Sequence, residues 1–240
     1  MTIYLVGAGP GDPKLLTVRG AELLAATEVV VFDRLAQPSL LDQAPRDAER
    51  ICVGKAPGNV VMHQDDINRL LVERGHRGQH VVRLKGGDPF IFGRGGEEAA
   101  ALRLANVAYE IVPGVSSALA APAYAGIPAT LRQVALSVTI VTGHEDEAGP
   151  NSVNWEALAG VGGTIVVLMG AKRIGSIATR LLSGGLPADT PICVVVNGTT
   201  PTQVTIPSTL GEIGSITFPA PAAIVIGQVA AHALPWFNLP

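Results

Sequence analysis

Chemistry in this chain has to come from a few polar residues set in glycine-dense loops. The densest is Arg83-Leu-Lys-Gly-Gly-Asp-Pro-Phe-Ile-Phe-Gly-Arg-Gly-Gly-Glu-Glu98, with five glycines and one proline. Glycine at this density costs conformational entropy and marks backbone that something must approach closely. The stretch leaves a predicted strand, Val81 to Leu84, and enters a predicted helix from about Glu97. Strand-to-helix loops of this kind are where open α/β sheets hold their ligands. Arg94 stands three residues before Glu97, and Gly95-Gly96 ahead of Glu97-Glu98 would leave main-chain N–H groups free at the helix start. A carboxylate or a phosphate would suit that arrangement equally. No Gly-Lys-Ser/Thr sequence completes a P-loop, which argues against ATP.

Two further loops carry acid–base groups. Asp33-Arg34 follows an apolar run, Val29 to Phe32, and Lys55 follows another, Arg50 to Val53. On a shared sheet edge, a carboxylate and an amine could act as proton acceptor and donor; the other reading is an ordinary surface salt bridge. Gly7-Ala-Gly-Pro-Gly-Asp12, after Ile3 to Val6, is a partial dinucleotide fingerprint. Asp12 replaces the last glycine and Pro10 sits inside the turn, so a nicotinamide cofactor is not expected. The loop reads as a rigid turn against a ligand, or as a tight turn with none. In the second half, Ser116-Ser117, Met169-Gly170 and Asn197-Gly198 close predicted elements. Met169 is either core filler or a ligand contact. The serines have no evident His or Asp partner, so no serine nucleophile is proposed.

The elements that would position these groups are legible from composition. Apolar β-branched runs alternate with helical segments up to residue 112, the pattern of a parallel sheet with right-handed crossovers. Thr17 is expected to cap a helix to about Ala26, and a helix begins near Gln64-Asp65. Beyond Pro113-Gly-Val-Ser-Ser117 the strands Ser137–Thr142, Gly163–Met169, Ile192–Val196, Gln203–Ile206 and Ala222–Ile226 are separated by only a few helices. Those are Trp155–Ala159, Ile174–Leu182 and Thr209–Ile213, too few for an all-parallel sheet. Asn197-Gly198 and the residues after it read as a loose hairpin. The expectation is two α/β domains, 1–114 with a mostly parallel sheet and 115–240 with a mixed sheet, and a ligand cleft between them.

Composition narrows the function classes. The 240 residues are 48% hydrophobic, 15% charged and carry a net charge of −3, without the basic face of a general nucleic-acid binder. No run approaches the length of a membrane span, and Ile3 to Val6 opens the chain without a signal-peptide pattern. A cytoplasmic protein is therefore expected. Cys52 and Cys193 lie in strand-like runs and read as small buried hydrophobes; neither they nor the five scattered histidines suggest a metal site.

Taken together, Val6-Gly-Ala-Gly-Pro-Gly-Asp-Pro13, Phe32-Asp-Arg-Leu35, Val53-Gly-Lys55, the Arg83–Glu98 block, Val112-Pro-Gly114, Ala125-Gly-Ile-Pro128, Val141-Thr-Gly-His144, Met169-Gly170 and Asn197-Gly-Thr199 resemble, in this order, the uroporphyrinogen-III C-methyltransferases of the tetrapyrrole methyltransferase superfamily. The resemblance implies a homodimer that binds S-adenosylmethionine between two domains, releases S-adenosylhomocysteine, and needs no metal. It implies two successive methyl transfers to uroporphyrinogen III, through precorrin-1 to precorrin-2, and no nucleic-acid or membrane partner. Sirohaem, cobalamin and haem d1 all lie downstream of that product; another precorrin methyltransferase is the alternative. By motif, Pro10, Gly86, Gly87, Asp88, Ile91, Ser116, Ser117, Met169 and Gly198 fall at cofactor positions. Ser116-Ser117 departs from the Thr-Ala pair frequent there. Asp33 and Lys55 match one assignment, as proton acceptor and donor; Arg94 and Glu97 match a rival one in which the arginine handles the proton and the glutamate holds the substrate. Arg34 and Arg132, with Lys55 and Arg94, are expected to meet the substrate's carboxylates. No counterpart of the dehydrogenase and ferrochelatase domain of fused sirohaem synthases is seen, so the resemblance is to the stand-alone enzyme.

Overall fold

The structure is a computed structural model and describes residues 2–34, 36–54, 62–144 and 152–237. Lys55 lies outside the described residues. The chain divides into two compact units, residues 1–116 and 117–240. Ser116 and Ser117 therefore belong to different units.

In the first unit, β1 (Ile3–Gly7), β2 (Val29–Phe32), β3 (Glu49–Cys52), β4 (Val81–Lys85) and β5 (Tyr109–Val112) form a wholly parallel sheet in the order β3-β2-β4-β1-β5. The strand runs are apolar on both faces because both are covered. Ile3, Leu5, Val29, Val31 and Val81 pack with Ile67 and Leu71 of α3 (Gln64–His76) and Leu102 of α4 (Gly95–Leu104). The alternate side chains, Val6, Val30, Val82 and Leu84, pack with Leu24 of α1 (Val18–Ala25) and Leu40 of the short α2 (Pro38–Leu41). As expected, Thr17 caps α1, its Oγ1 accepting from the Gly20 N–H at 3.1 Å.

The connection from β1 runs through α1 towards β2, whereas that from β4 runs through α4, on the opposite face, to β5. Neighbouring strands β1 and β4 thus send their chains to opposite faces. Such a switch point is where doubly wound sheets bind ligands, and both glycine-rich loops leave from it.

The second unit has a mixed sheet. β6 (Val138–Thr142), β7 (Thr164–Leu168), β8 (Pro191–Val196), β9 (Val204–Thr209) and β10 (Ala222–Ile226) take the order β6-β7-β10-β8-β9. β6 and β7 are parallel, and β10 is antiparallel to both β7 and β8. β6, β7 and β8 therefore end at one edge. α6 (Trp155–Ala159) and α7 (Ile174–Ser183) cover one face, and α5 (Ser117–Tyr124) packs with the other.

Two expectations are corrected here. Thr209–Ile213 is not a helix: β9 runs to Thr209, paired with Pro191, and only a 3-10 turn follows at Ile213–Ser215. Pro207 is tolerated because β9 is an edge strand. Cys52 is exposed, since β3 is also an edge, whereas Cys193 is buried and its thiol is pushed up to about 11 by desolvation. No helix among the described residues is long and apolar enough to cross a membrane.

Candidate active site

The carboxyl edge of the first sheet is drawn together by glycines. Gly9 and Gly87 form an antiparallel bridge, the Gly87 N–H donating to Gly9 O at 2.7 Å and the Gly9 N–H returning to Gly87 O at 3.2 Å. Both adopt left-handed φ values, +77° and +66°, which glycine enters without penalty. A Cβ on Gly7 would lie 2.5 Å from Gly114 Cα and 2.7 Å from Gly87 O. The loops after β1, β4 and β5 therefore touch backbone to backbone. Asp88 fastens them: its Oδ1 accepts from the Phe90 N–H at 2.8 Å and its Oδ2 from the Gly114 N–H at 2.9 Å. Pro10, Gly86 and Gly87 are half-buried around this seam, and Ile91 is exposed.

Beside the seam lies a buried cluster of charges that the sequence reading did not single out. Along β4 the side chains on the α3/α4 face run Val81, Arg83, Lys85. Glu98 of α4 has no solvent exposure; its Oε1 accepts from Arg83 Nε at 3.1 Å, Lys85 Nζ at 2.8 Å and Gln64 Nε2 at 3.3 Å. Arg83 Nη2 donates to Asp33 Oδ1 at 2.8 Å. Burial, then the Arg83 guanidinium, pulls the Lys85 ammonium below its usual range, against the opposing pull of Glu98. The signal was two charged residues at period two on the inner face of a central strand.

Arg94 and Glu97 form an exposed bidentate pair, Nε to Oε1 at 2.8 Å and Nη2 to Oε2 at 2.6 Å. That hydrogen bonding holds the Glu97 carboxyl below its ordinary range and Arg94 above its own. Of the N–H groups expected to be free at this helix start, three are engaged, and only that of Gly96 meets no acceptor among the described residues. Gly95 N–H donates to Pro89 O, and the Glu97 and Glu98 N–H groups donate to Arg94 O. Arg94, with φ +58°, folds its own carbonyl over the end of the helix. Arg34 is exposed beside Asp33.

In the second unit, Met169 follows β7 with φ +57° and is half exposed, so it is not core filler. Gly198 follows β8 at the same sheet edge; a Cβ there would lie 2.5 Å from Ala121 Cβ of α5. Met169, Asn197 and Thr199 all adopt left-handed φ, the strained backbone that collects where ligands are held. Ser116 is buried, Ser117 begins α5, and Arg132 is exposed in the turn closed by the Leu131–Ala135 bridge.

Residues 2–214 match the model of the tetrapyrrole (corrin/porphyrin) methylases. The chain belongs to the tetrapyrrole methylase family. An S-adenosyl-L-methionine-dependent uroporphyrinogen III methyltransferase from Methanosarcina barkeri is 48% identical, over 95% of this chain and 91% of that protein. Siroheme synthase 1 of Yersinia enterocolitica is 46% identical over 98% of this chain, which spans about half (51%) of that longer protein. A crystal structure of uroporphyrin-III C-methyl transferase from Thermus thermophilus, complexed with S-adenosyl homocysteine, superposes with a TM-score of 0.84. It is 39% identical and covers 97% of this chain and 100% of its own.

For this tetrapyrrole methylase, the glycine seam tests whether a small cosubstrate fits. Side chains are excluded at Gly7 and Gly114 by neighbouring backbone, and Gly86 and Gly87 are half-buried glycines in the same loop edge. That suits a ligand laid against backbone. Among the described residues no group of three His, Cys, Asp or Glu side chains could hold a metal.

Proposed function

We propose that the chain is an S-adenosylmethionine-dependent C-methyltransferase that converts uroporphyrinogen III through precorrin-1 to precorrin-2, and that it works as a cytoplasmic homodimer. The observation that carries this is the 48% identity, over nearly the full length of both proteins, to a methyltransferase named for that substrate. The sirohaem route is the one supported by the longer relatives.

The seam of Gly9, Gly87 and Gly114, with Pro10, Asp88, Ile91 and Ser116, is assigned to the methyl donor, as are Ser117, Met169 and Gly198. When bound, the donor supplies an electrophilic sulfonium methyl, so the protein needs neither a metal nor a covalent nucleophile. The residues' tasks are to hold the electron-rich pyrrole carbon about 3–3.5 Å from that methyl and in line with it, and to accept the proton the carbon then sheds. Asp33 is the acceptor in this reading: its side chain is 31% exposed, and Arg83 fixes one oxygen. Lys55 is assigned as the donor by motif alone. Arg94 and Glu97, already paired with each other, are assigned to substrate carboxylates and ring nitrogens, with Arg34 and Arg132 adding positive charge.

The test is anaerobic incubation of the purified protein with uroporphyrinogen III and S-adenosylmethionine, read by mass spectrometry. The product should be heavier by two methyl groups. An unchanged tetrapyrrole mass would sink the reading.

A further inference from the structure

The α3/α4 face of the first sheet is apolar until β4 approaches its carboxyl end, where Arg83 and Lys85 replace the aliphatic residues found beneath them. Their side chains are 2% and 3% exposed, and that of Glu98 is 0% exposed. Stability alone does not account for this. Buried ion pairs can usually be exchanged for apolar residues of similar volume without loss. Here one carboxylate oxygen, Glu98 Oε2, is buried with no hydrogen-bond partner among the described residues, a cost that a purely structural cluster would avoid.

The cluster has a direction. It starts at Glu98 on α4 and passes through Arg83 on β4. Among its described charged members only Asp33, after β2, reaches solvent appreciably. A guanidinium is a rigid plane, so fixing one edge fixes the aim of the other. Arg83 Nε is held by Glu98 Oε1 at 3.1 Å, Nη1 lies 3.4 Å from Leu84 O, and Nη2 meets Asp33 Oδ1 at 2.8 Å. Lys85 and Gln64 also donate to Glu98 Oε1 and stop it turning away. Asp33 Oδ2 carries no hydrogen bond to any described residue, and the side chain that bears it is 31% exposed.

We propose that Arg83, clamped by Glu98, is a positioning residue that orients the Asp33 carboxylate with Oδ1 tethered and Oδ2 presented for proton transfer. This rests on the reading of Asp33 as the proton acceptor. Arg83 and Glu98 touch no reacting atom; their effect on turnover passes through Asp33.

The test compares Arg83→Lys, Glu98→Gln, Asp33→Asn and the two double variants that combine Asp33→Asn with each of the others. Steady-state and single-turnover rates are measured anaerobically, and S-adenosylhomocysteine affinity is measured by calorimetry. Arg83→Lys and Glu98→Gln should each lower kcat by about 10- to 100-fold, with KM and S-adenosylhomocysteine affinity held within about twofold. In the Asp33→Asn background the same changes should cost almost nothing further, because residues acting through one group are not additive. Additive losses, or an undiminished kcat in both single variants, would overturn the proposal while leaving Asp33 as the base. Full turnover by Asp33→Asn would instead remove the underlying reading. If circular dichroism shows a single variant unfolded, Arg83→Met/Lys85→Met/Glu98→Met removes the buried charges together. It should fold and turn over slowly, and wild-type kcat in that protein would also overturn the proposal.

Discussion

Asp88 has both carboxylate oxygens engaged by main-chain N–H groups, at Phe90 and at Gly114. Whatever it contributes to a ligand, it first ties the loop after β4 to the loop after β5. The glycines beside it are as constrained. A Cβ on Gly114 would lie 2.6 Å from Gly7 Cα and closer still to Gly87 O, and those atoms are backbone that cannot step aside cheaply. Gly114→Ala should therefore push the β1, β4 and β5 loops apart and destabilise the protein by about 1–3 kcal/mol, the usual cost of overpacking. Urea unfolding gives the number, and S-adenosylhomocysteine affinity should fall with it. A variant within about 0.5 kcal/mol of wild type, as unremarkable surface substitutions are, would mean that the seam is loose and that its closeness is not what shapes the edge.

Helix α4 shows how elements separate residues that look alike in the sequence. Gly95 and Gly96 read as one motif, yet a Cβ on Gly95 would run into Pro89 O, whereas one on Gly96 would meet nothing within 4 Å. Gly95 is required by the chain's own backbone. Gly96 is a helical glycine in the open, so Gly96→Ala should stabilise by about 0.5–1 kcal/mol, while Gly95→Ala should destabilise. Thermal melts of the two variants decide it, and a loss of stability in Gly96→Ala would refute the local geometry. Much of this element scale was legible beforehand: the strands declared themselves by β-branched runs, and Thr17 by its place before a helical segment. What was not legible depended on partners far along the chain. Glu98 is placed by the sequence only at a helix start, and it is the fold that sets it against Arg83 and Lys85. The sequence sets Asp33 with Lys55, which lies outside the described residues; among those described the side-chain partner of Asp33 is Arg83, fifty positions away. Cys52 could be called buried only by not knowing that β3 would be an edge strand.

At the scale of the whole molecule, Ser116 and Ser117 are neighbours in sequence but belong to different compact units. The positions assigned to the methyl donor divide in the same way: Pro10, Gly86 to Asp88, Ile91 and Ser116 in residues 1–116, and Ser117, Met169 and Gly198 in residues 117–240. Each unit has its own apolar clusters, so each can hold its fold by its own packing. A ligand that binds only the native state adds stability as RT ln(1 + [L]/Kd), about 2.7 kcal/mol at a hundredfold excess over Kd. That stabilisation falls on whichever segments the ligand engages. With S-adenosylhomocysteine at such a concentration, amide hydrogen exchange should slow around residues 7–12 and 86–95 and, in parallel, around 169–170 and 197–199. If, as proposed, one molecule engages both sets, they should respond with one midpoint as the ligand is titrated. Slowing confined to the first unit would leave Met169 and Gly198 without a role in binding, and their backbone strain would then need another explanation.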